Sequence, residues 1–211
     1  MIPAGASTRA HVRRFVLLGQ TASASGDFST ENLPSSGGRI DVLLRCVRAA
    51  LLISHGVRRD VVVYLVLRGG PRAPRVLRIS GRDAQFLRPD ERSLALLVKK
   101  ALNRETPNAG NRFSELKPGL SLAEGDLDCV LADAPRATHY CLSEEGSDVR
   151  DEAFDTPDSL FFLGDHLGFD AATRARLAEL PCRVLSVGPV SLHTDDAVTL
   201  VSNELDRRAR S

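Results

Sequence analysis

No stretch of this 211-residue chain approaches the roughly 20 consecutive apolar residues of a membrane-spanning helix, which argues against a membrane protein. The opening MIPAGASTRAHVRR ends in arginines but lacks an apolar h-region, so it does not read as a secretory signal. Residues 1–13 are expected to form a disordered leader. Cysteine is sparse and scattered: Cys46, Cys129, Cys141 and Cys182 include no CxxC pair. That argues against a close-paired zinc site and against a disulfide framework, and it fits reduced thiols in a cytoplasmic protein. Only Tyr64 and Tyr140 accompany the eight Phe, so stacking of bases on exposed aromatics is not a conspicuous feature. There is no GxxxxGK[ST], GxGxxG, HExxH or GxSxG, and hence no signature of a P-loop, a dinucleotide fold, a zincin or an α/β-hydrolase.

What is present is a core and a charge split. Hydrophobic residues make up 43% of the chain, enough for one well-buried domain, expected over 14–211. The net charge of +1 conceals an asymmetry: residues 1–117 carry 20 Lys and Arg against 9 Asp and Glu, and residues 118–211 carry 8 against 18. A basic front half suits a polyanion such as RNA; alternatively, the halves attract each other or a second subunit.

Patterning supplies the elements. FVLL (15–18) reads as a short buried strand and 20–38 as a long Ser-rich loop. Ile40, Leu43, Leu44, Val47 and Leu51 recur at helical spacing, predicting a helix over 39–55 that stops at Gly56. DVVVYLVL (60–67) has the continuous β-branched character of a strand covered on both faces, and RVLRIS (75–80) of its hairpin partner. Pro89 and Asp90 open a second helix, residues 104–119 read as a loop, and DLDCVLADA as a short helix. THYCLS, SLFFL and RVLSV read as strands, separated by helices over 170–180 and from Thr194 onward. Thr194 is the expected N-cap, with Asp195 and Asp196 in the first turn. Alternating strands and helices imply a parallel sheet with covering helices.

In such sheets ligands settle beyond the carboxyl ends of the strands. Two of those ends are rich in glycine: FFLGDHLG and SVGPVSLHTDD. Asp165, His166, His193, Asp195 and Asp196 match no zinc spacing, and Ser191 with His193 lacks a nucleophile elbow, so no metal is expected. Arg39, Arg45 and Arg48 on one helix, and Arg88 with Arg92 in LRPDERS, offer bidentate guanidinium forks for phosphate.

Taken together, GRIDVLLRCVRAAL, LRPDERS, FFLGDHLGF and VGPVSLHTDDAVTLVSNELDR resemble the tRNA pseudouridine N1-methyltransferase family and its bacterial relatives, within the SPOUT class. The resemblance runs from about Phe15 to Arg207. It implies an α/β SPOUT-type parallel sheet with helices on both faces and a C-terminal trefoil knot, a rare exception to unknotted topology. It also implies S-adenosylmethionine as cofactor, RNA (most simply the tRNA T-loop) as substrate, and a cytoplasmic homodimer. Carried over by position, Leu163, Gly164, Gly188, Val190, Ser191, Leu192 and Ala197 would bind the cofactor, and CLSEEG (Ser143, Gly146) would close over the adenosine. Ala197 stands where family members often carry Cys, which rules out a thiol role but not a backbone contact. The chemistry requires N1 of pseudouridine to lose its proton while charge spreads onto the carbonyls, a task for an arginine and a carboxylate. Arg39, Asp41, Arg45, Arg88 and Asp90 are the candidates, in a basic RNA-facing half that ends near residue 117. A methyltransferase for another RNA base and a non-catalytic RNA-binding protein are the alternatives.

Overall fold

The computed structural model describes residues 11–85, 87–106, 111–156 and 158–209. In chain order the elements are β1 (Val12–Ser23), α1 (Leu33–Ser36), α2 (Ile40–Leu51), β2 (Leu52–Ile53), β3 (Gly56–Val57), β4 (Val61–Gly69), β5 (Arg75–Ser80) and α3 (Glu91–Leu102). They continue with β6 (Ser114–Lys117), β7 (Leu120–Glu124), α4 (Leu127–Asp133), β8 (Thr138–Asp148), β9 (Asp158–Gly164), α5 (Ala171–Ala178), β10 (Arg183–Ser186) and α6 (Thr194–Arg208).

Eight strands form one sheet in the order β10-β8-β9-β1-β4-β5-β7-β6. From β10 to β4 every pairing is parallel. From β4 to β6 every pairing is antiparallel, so the sheet is mostly parallel with an antiparallel edge, and RVLRIS is the hairpin arm that its pattern predicts. The reason lies in the connections. Five residues join β4 to β5 and two join β6 to β7, which suffices for a hairpin but not for a crossover.

Successive residues of β1 point to opposite faces, and both faces are covered. Phe15 and Leu17 join Leu43, Leu44, Leu94, Val98, Val198 and Val201 from α2, α3 and α6. Val16 and Leu18 join Leu127, Val130 and Leu177 from α4 and α5. Helices on both faces are therefore observed, and FVLL reads as an unbroken apolar run because each side is a core. On the first face Phe15, Phe161 and Tyr140 stack across three strands with ring centroids 5.5 and 5.1 Å apart.

Three boundaries differ from expectation. The first strand runs to Val12 and Ser23, so Val12 and Arg13 belong to β1 and not to a leader; residues 1–10 lie outside the described ones. Arg13 is buried there because Asp60 and Asp206 meet its guanidinium at 2.9 and 2.6 Å. The helix expected over 39–55 ends at Leu51, where the chain turns into the β2–β3 hairpin. The loop expected over 104–119 contains β6, with residues 107–110 outside the described ones.

Much of the charge asymmetry is neutralised within the chain. Arg13 and Arg58 reach Asp206, Arg68 reaches Asp126, Arg75 reaches Glu124 and Arg78 reaches Asp133. Among the described residues Arg48, Arg82 and Lys100 are exposed and make no ion pair, so a basic surface remains. No helix among the described residues is long and apolar enough to cross a membrane.

Candidate active site

At the carboxyl ends of β8, β9 and β10 lies a cavity of about 790 Å³, the size of a small-molecule site. One wall begins where β9 ends. Leu163 and Gly164 line it, and a Cβ on Gly164 would stand 2.6 Å from the backbone of Gly168, so only glycine permits the tight turn. Asp165 pins that turn: its buried carboxylate accepts the N–H groups of Gln20 and Leu167, each at 2.8 Å. Asp165 is thereby occupied as a brace. Among the described residues no group of three metal-ligating side chains forms.

The second wall follows β10. Gly188 has φ of +154°, a conformation open to glycine but strained for other residues, and a Cβ there would meet nothing within 4 Å. Gly164 thus packs closely against neighbouring backbone, while Gly188 supplies an unusual backbone turn beside open space. Ser186 holds that turn, with its hydroxyl donating to the Gly188 carbonyl (2.8 Å) and accepting the Gly188 N–H (3.1 Å). Val190, Leu192 and Ala197 also line the cavity. Ser191 is not among the lining residues but hydrogen-bonds to Glu144, which is, and this bond holds the Glu144 carboxyl below its usual range. Thr194 is not the cap of α6. His193 occupies that position, and the Thr194 hydroxyl donates instead to the Gly164 carbonyl at 2.8 Å, clasping the two walls together.

The third wall was expected to be a loop and is part of a strand. β8 pairs Cys141 with Val184 and then Ser147 with Leu185, so residues 142–146 bulge out between two adjacent partners on β10. The bulge presents Ser143, Glu144 and Glu145 to the cavity. Gly146 instead passes the Leu185 backbone so closely that a Cβ would stand 2.5 Å away.

Beside this cavity the structure assembles three of the five catalytic candidates. Arg39 caps the start of α2 at φ of +64° and meets both oxygens of Asp41, at 3.1 and 3.2 Å. Arg45, one turn on, reaches the same carboxylate at 3.2 Å. Burial would raise the pKa of Asp41, whose side chain is 5% exposed, but hydrogen bonds from Arg39 and Arg45 hold it below the usual range. Arg45 also approaches Asp195 at 3.9 Å, in the first turn of α6 and two residues from Ala197. That contact sets the cluster next to the start of α6, where Thr194 and Ala197 line the cavity. Arg39 and Arg45 remain about 40% exposed, able to receive an anion.

Arg88 and Asp90 are not part of this group. Both are exposed at the start of α3, where Asp90 accepts the Ser93 N–H at 2.8 Å as an ordinary N-cap. Among the described residues no hydrogen bond or ion pair joins them to Arg39, Asp41 or Arg45. Sequence reasoning also missed Cys141, Cys182, Phe169 and Arg174 on the cavity wall. Only the pairing of β8 with β10 brings the two cysteines there, and no local pattern signals that.

A mostly parallel α/β sheet with a glycine-walled cavity at its strand ends is an architecture that can hold a small-molecule ligand. The chain matches, over residues 12–210, the family described as "Putative SAM-dependent RNA methyltransferase", and it belongs to that family. It is 41% identical over 196 residues to the tRNA (pseudouridine(54)-N(1))-methyltransferase of Methanosarcina acetivorans, covering 93% of this chain and 92% of the relative. It is 40% identical to the enzyme of the same name from Halobacterium salinarum, covering 92% of this chain and 96% of that one. Among solved structures, Archaeoglobus fulgidus Nep1 bound to S-adenosylhomocysteine superposes with a TM-score of 0.66 at 15% identity, covering 95% of this chain and all of that one. The resemblance seen in the sequence motifs is thus matched along nearly the whole chain.

Proposed function

We propose that this protein methylates N1 of the pseudouridine at position 54 of tRNA, using S-adenosylmethionine. The observation that carries the proposal is the contact of the Arg39–Asp41–Arg45 cluster with the start of α6, which forms one side of the cavity, in a chain whose relatives bear that activity in their names.

The cavity fits the cofactor. The empty space beside Gly188 leaves room for a ligand against bare backbone, and Leu163, Val190, Leu192 and Ala197 give an apolar lining beside the carboxylates of Glu144 and Glu145. When bound, S-adenosylmethionine supplies a methyl group on a sulfonium, an electrophile that needs no further activation. The protein must hold N1 in line with it and stabilise the charge left on the base as the N1 proton departs. Arg39 and Arg45 are suited to that charge, and Asp41 fixes their orientation. Ala197 offers only backbone and a methyl group where the family often has a thiol.

Three further features belong to this reading. A trefoil knot is supported by the path of the chain. β10 lies outside β8, where the Ser186 carbonyl accepts the Val149 N–H, and α6 then returns to pack on α2 with its first residue, Thr194, bonded to the Gly164 carbonyl. Homodimer formation is supported by Leu167 and Leu200, large apolar side chains left exposed outside the cavity. A tRNA substrate would be met in the cytoplasm.

The test is methyl transfer from S-adenosylmethionine to tRNA carrying pseudouridine or uridine at position 54, followed by nucleoside mass spectrometry. N1-methylpseudouridine should form only in the first. Binding of S-adenosylhomocysteine without any transfer would favour the non-catalytic alternative and sink the proposal.

A further inference from the structure

Two thiols meet in the cavity wall. Cys141 and Cys182 are 41 positions apart in the chain, yet their Sγ atoms lie 2.7 Å from each other. The cause is the parallel pairing of β10 with β8, which sets Tyr140 opposite Arg183 and Cys141 opposite Val184. Both cysteines are free, half-buried and open to the cavity, whereas Cys46 and Cys129 are buried in the two cores. No third metal-ligating side chain joins them among the described residues, so the donor set suits a disulfide and not a structural metal.

We propose that Cys141 and Cys182 form a modification site, a dithiol that a hydroperoxide converts to a disulfide and whose oxidation a bound cofactor blocks. The second part rests on the function proposed above; the first does not. In the reaction the Cys141 thiolate attacks the peroxide, an S–O bond forms as the O–O bond breaks, and the released hydroxide takes up a proton to become water. The Cys182 sulfur then attacks the Cys141 sulfur, the S–S bond forms as the S–O bond breaks, and the departing hydroxide leaves as water with the Cys182 proton. Two thiols lose two electrons, and the peroxide is reduced. Cys141 is the attacking group because the Cys182 thiol hydrogen-bonds to it and favours its thiolate, while the same contact raises Cys182.

The consequence is local. Cys141 precedes the 142–146 bulge and Cys182 precedes the strand leading to Gly188, so the new bond staples two cavity walls at their base. A ligand seated between those walls stands between the sulfurs and solvent.

The experiment treats the full chain with hydrogen peroxide, then counts free thiols after denaturation and maps peptides without reduction. The expected result is a fall from the four thiols of the sequence to two, with one peptide joining Cys141 to Cys182 and full recovery on reduction. Cys182→Ser should stop at a Cys141 sulfenic acid that dimedone traps, and Cys141→Ser should give no disulfide. Retention of all thiols in folded protein, or a disulfide involving Cys46 or Cys129, would overturn the site. S-adenosylhomocysteine at about ten times its Kd leaves roughly a tenth of the protein free and should slow oxidation about tenfold. Bound ligand that gives no protection would overturn the shielding. A disulfide that forms in protein unable to bind the ligand at all would uphold the dithiol and tell against the cofactor reading instead.

Discussion

The strand-end cavity and the arginine cluster are neighbours but are built by different means. The cavity is mainly a backbone construction: Gly164 where no Cβ fits, Gly188 at φ of +154°, and a bulge that pushes residues 142–146 off the sheet. The cluster is a side-chain construction, in which one buried carboxylate holds two half-exposed guanidiniums. A backbone site tolerates changes of side chain but not of main-chain shape. A side-chain site depends on one residue, Asp41, whose loss frees both arginines while leaving the helix in place. The two sites should therefore fail differently, one by losing the ligand and the other by losing turnover.

The largest effect is expected from Gly164→Val, which forces backbone apart at the Gly168 turn. A penalty of about 3 kcal/mol on the cavity would weaken S-adenosylhomocysteine binding roughly 100-fold by calorimetry. Unchanged affinity would mean that this turn does not shape the ligand site. Next is Asp41→Ala. Turnover on pseudouridine-containing tRNA should fall about 100-fold, as when a charge-stabilising group is removed, with the cofactor Kd shifting less than about threefold. A Kd that moves as far as kcat would erase the distinction between the two sites.

Acid gives a third probe. Asp41 and Asp206 would each be raised by burial, yet both are held below the ordinary carboxylate range by hydrogen bonds, from Arg39 and Arg45 and from Arg13 and Arg58 respectively. A depressed folded pKa means that the stabilisation is complete above the unfolded value, about 3.9, and is lost as pH falls through the folded value. Stability followed by circular dichroism should thus decline below about pH 4, and Asp206→Asn should flatten that decline. An unaltered acid limb in this variant would show that its ion pairs add nothing. The smallest effect belongs to Asp90→Ala, which removes an N-cap from α3. The expected cost is about 1 kcal/mol, or roughly 2–4 °C in Tm. A melt shifted by much more would assign Asp90 a partner beyond Ser93.

How legible these features were depends on what each one needs. FVLL was legible as a buried strand, and DVVVYLVL as one covered on both faces, because continuous apolar runs have few other uses. The stripes of α2 and α3 were legible because their period matches the helix. Arg13 and Arg75 were not legible as interior residues, since nothing local distinguishes them from surface arginines. Arg75 is wholly buried because Glu124 and the carbonyls of Ala24, Leu102 and Arg104 converge on it. Asp90 was legible as the opening of α3, and its carboxylate accepts the Ser93 N–H there.

By itself the sequence determined the two-sided core, the order of most strands and helices, the glycine-rich turns of the cavity and the family. These follow from periodicity and from motifs contained in short segments. Only the tertiary structure decided which charges neutralise one another, that Arg45 reaches Asp195 at the start of α6 while Arg88 and Asp90 stand apart from its cluster, and that Cys141 faces Cys182. Those outcomes rest on contacts between residues distant in the chain, which strand pairing and the packing of α6 on α2 bring together.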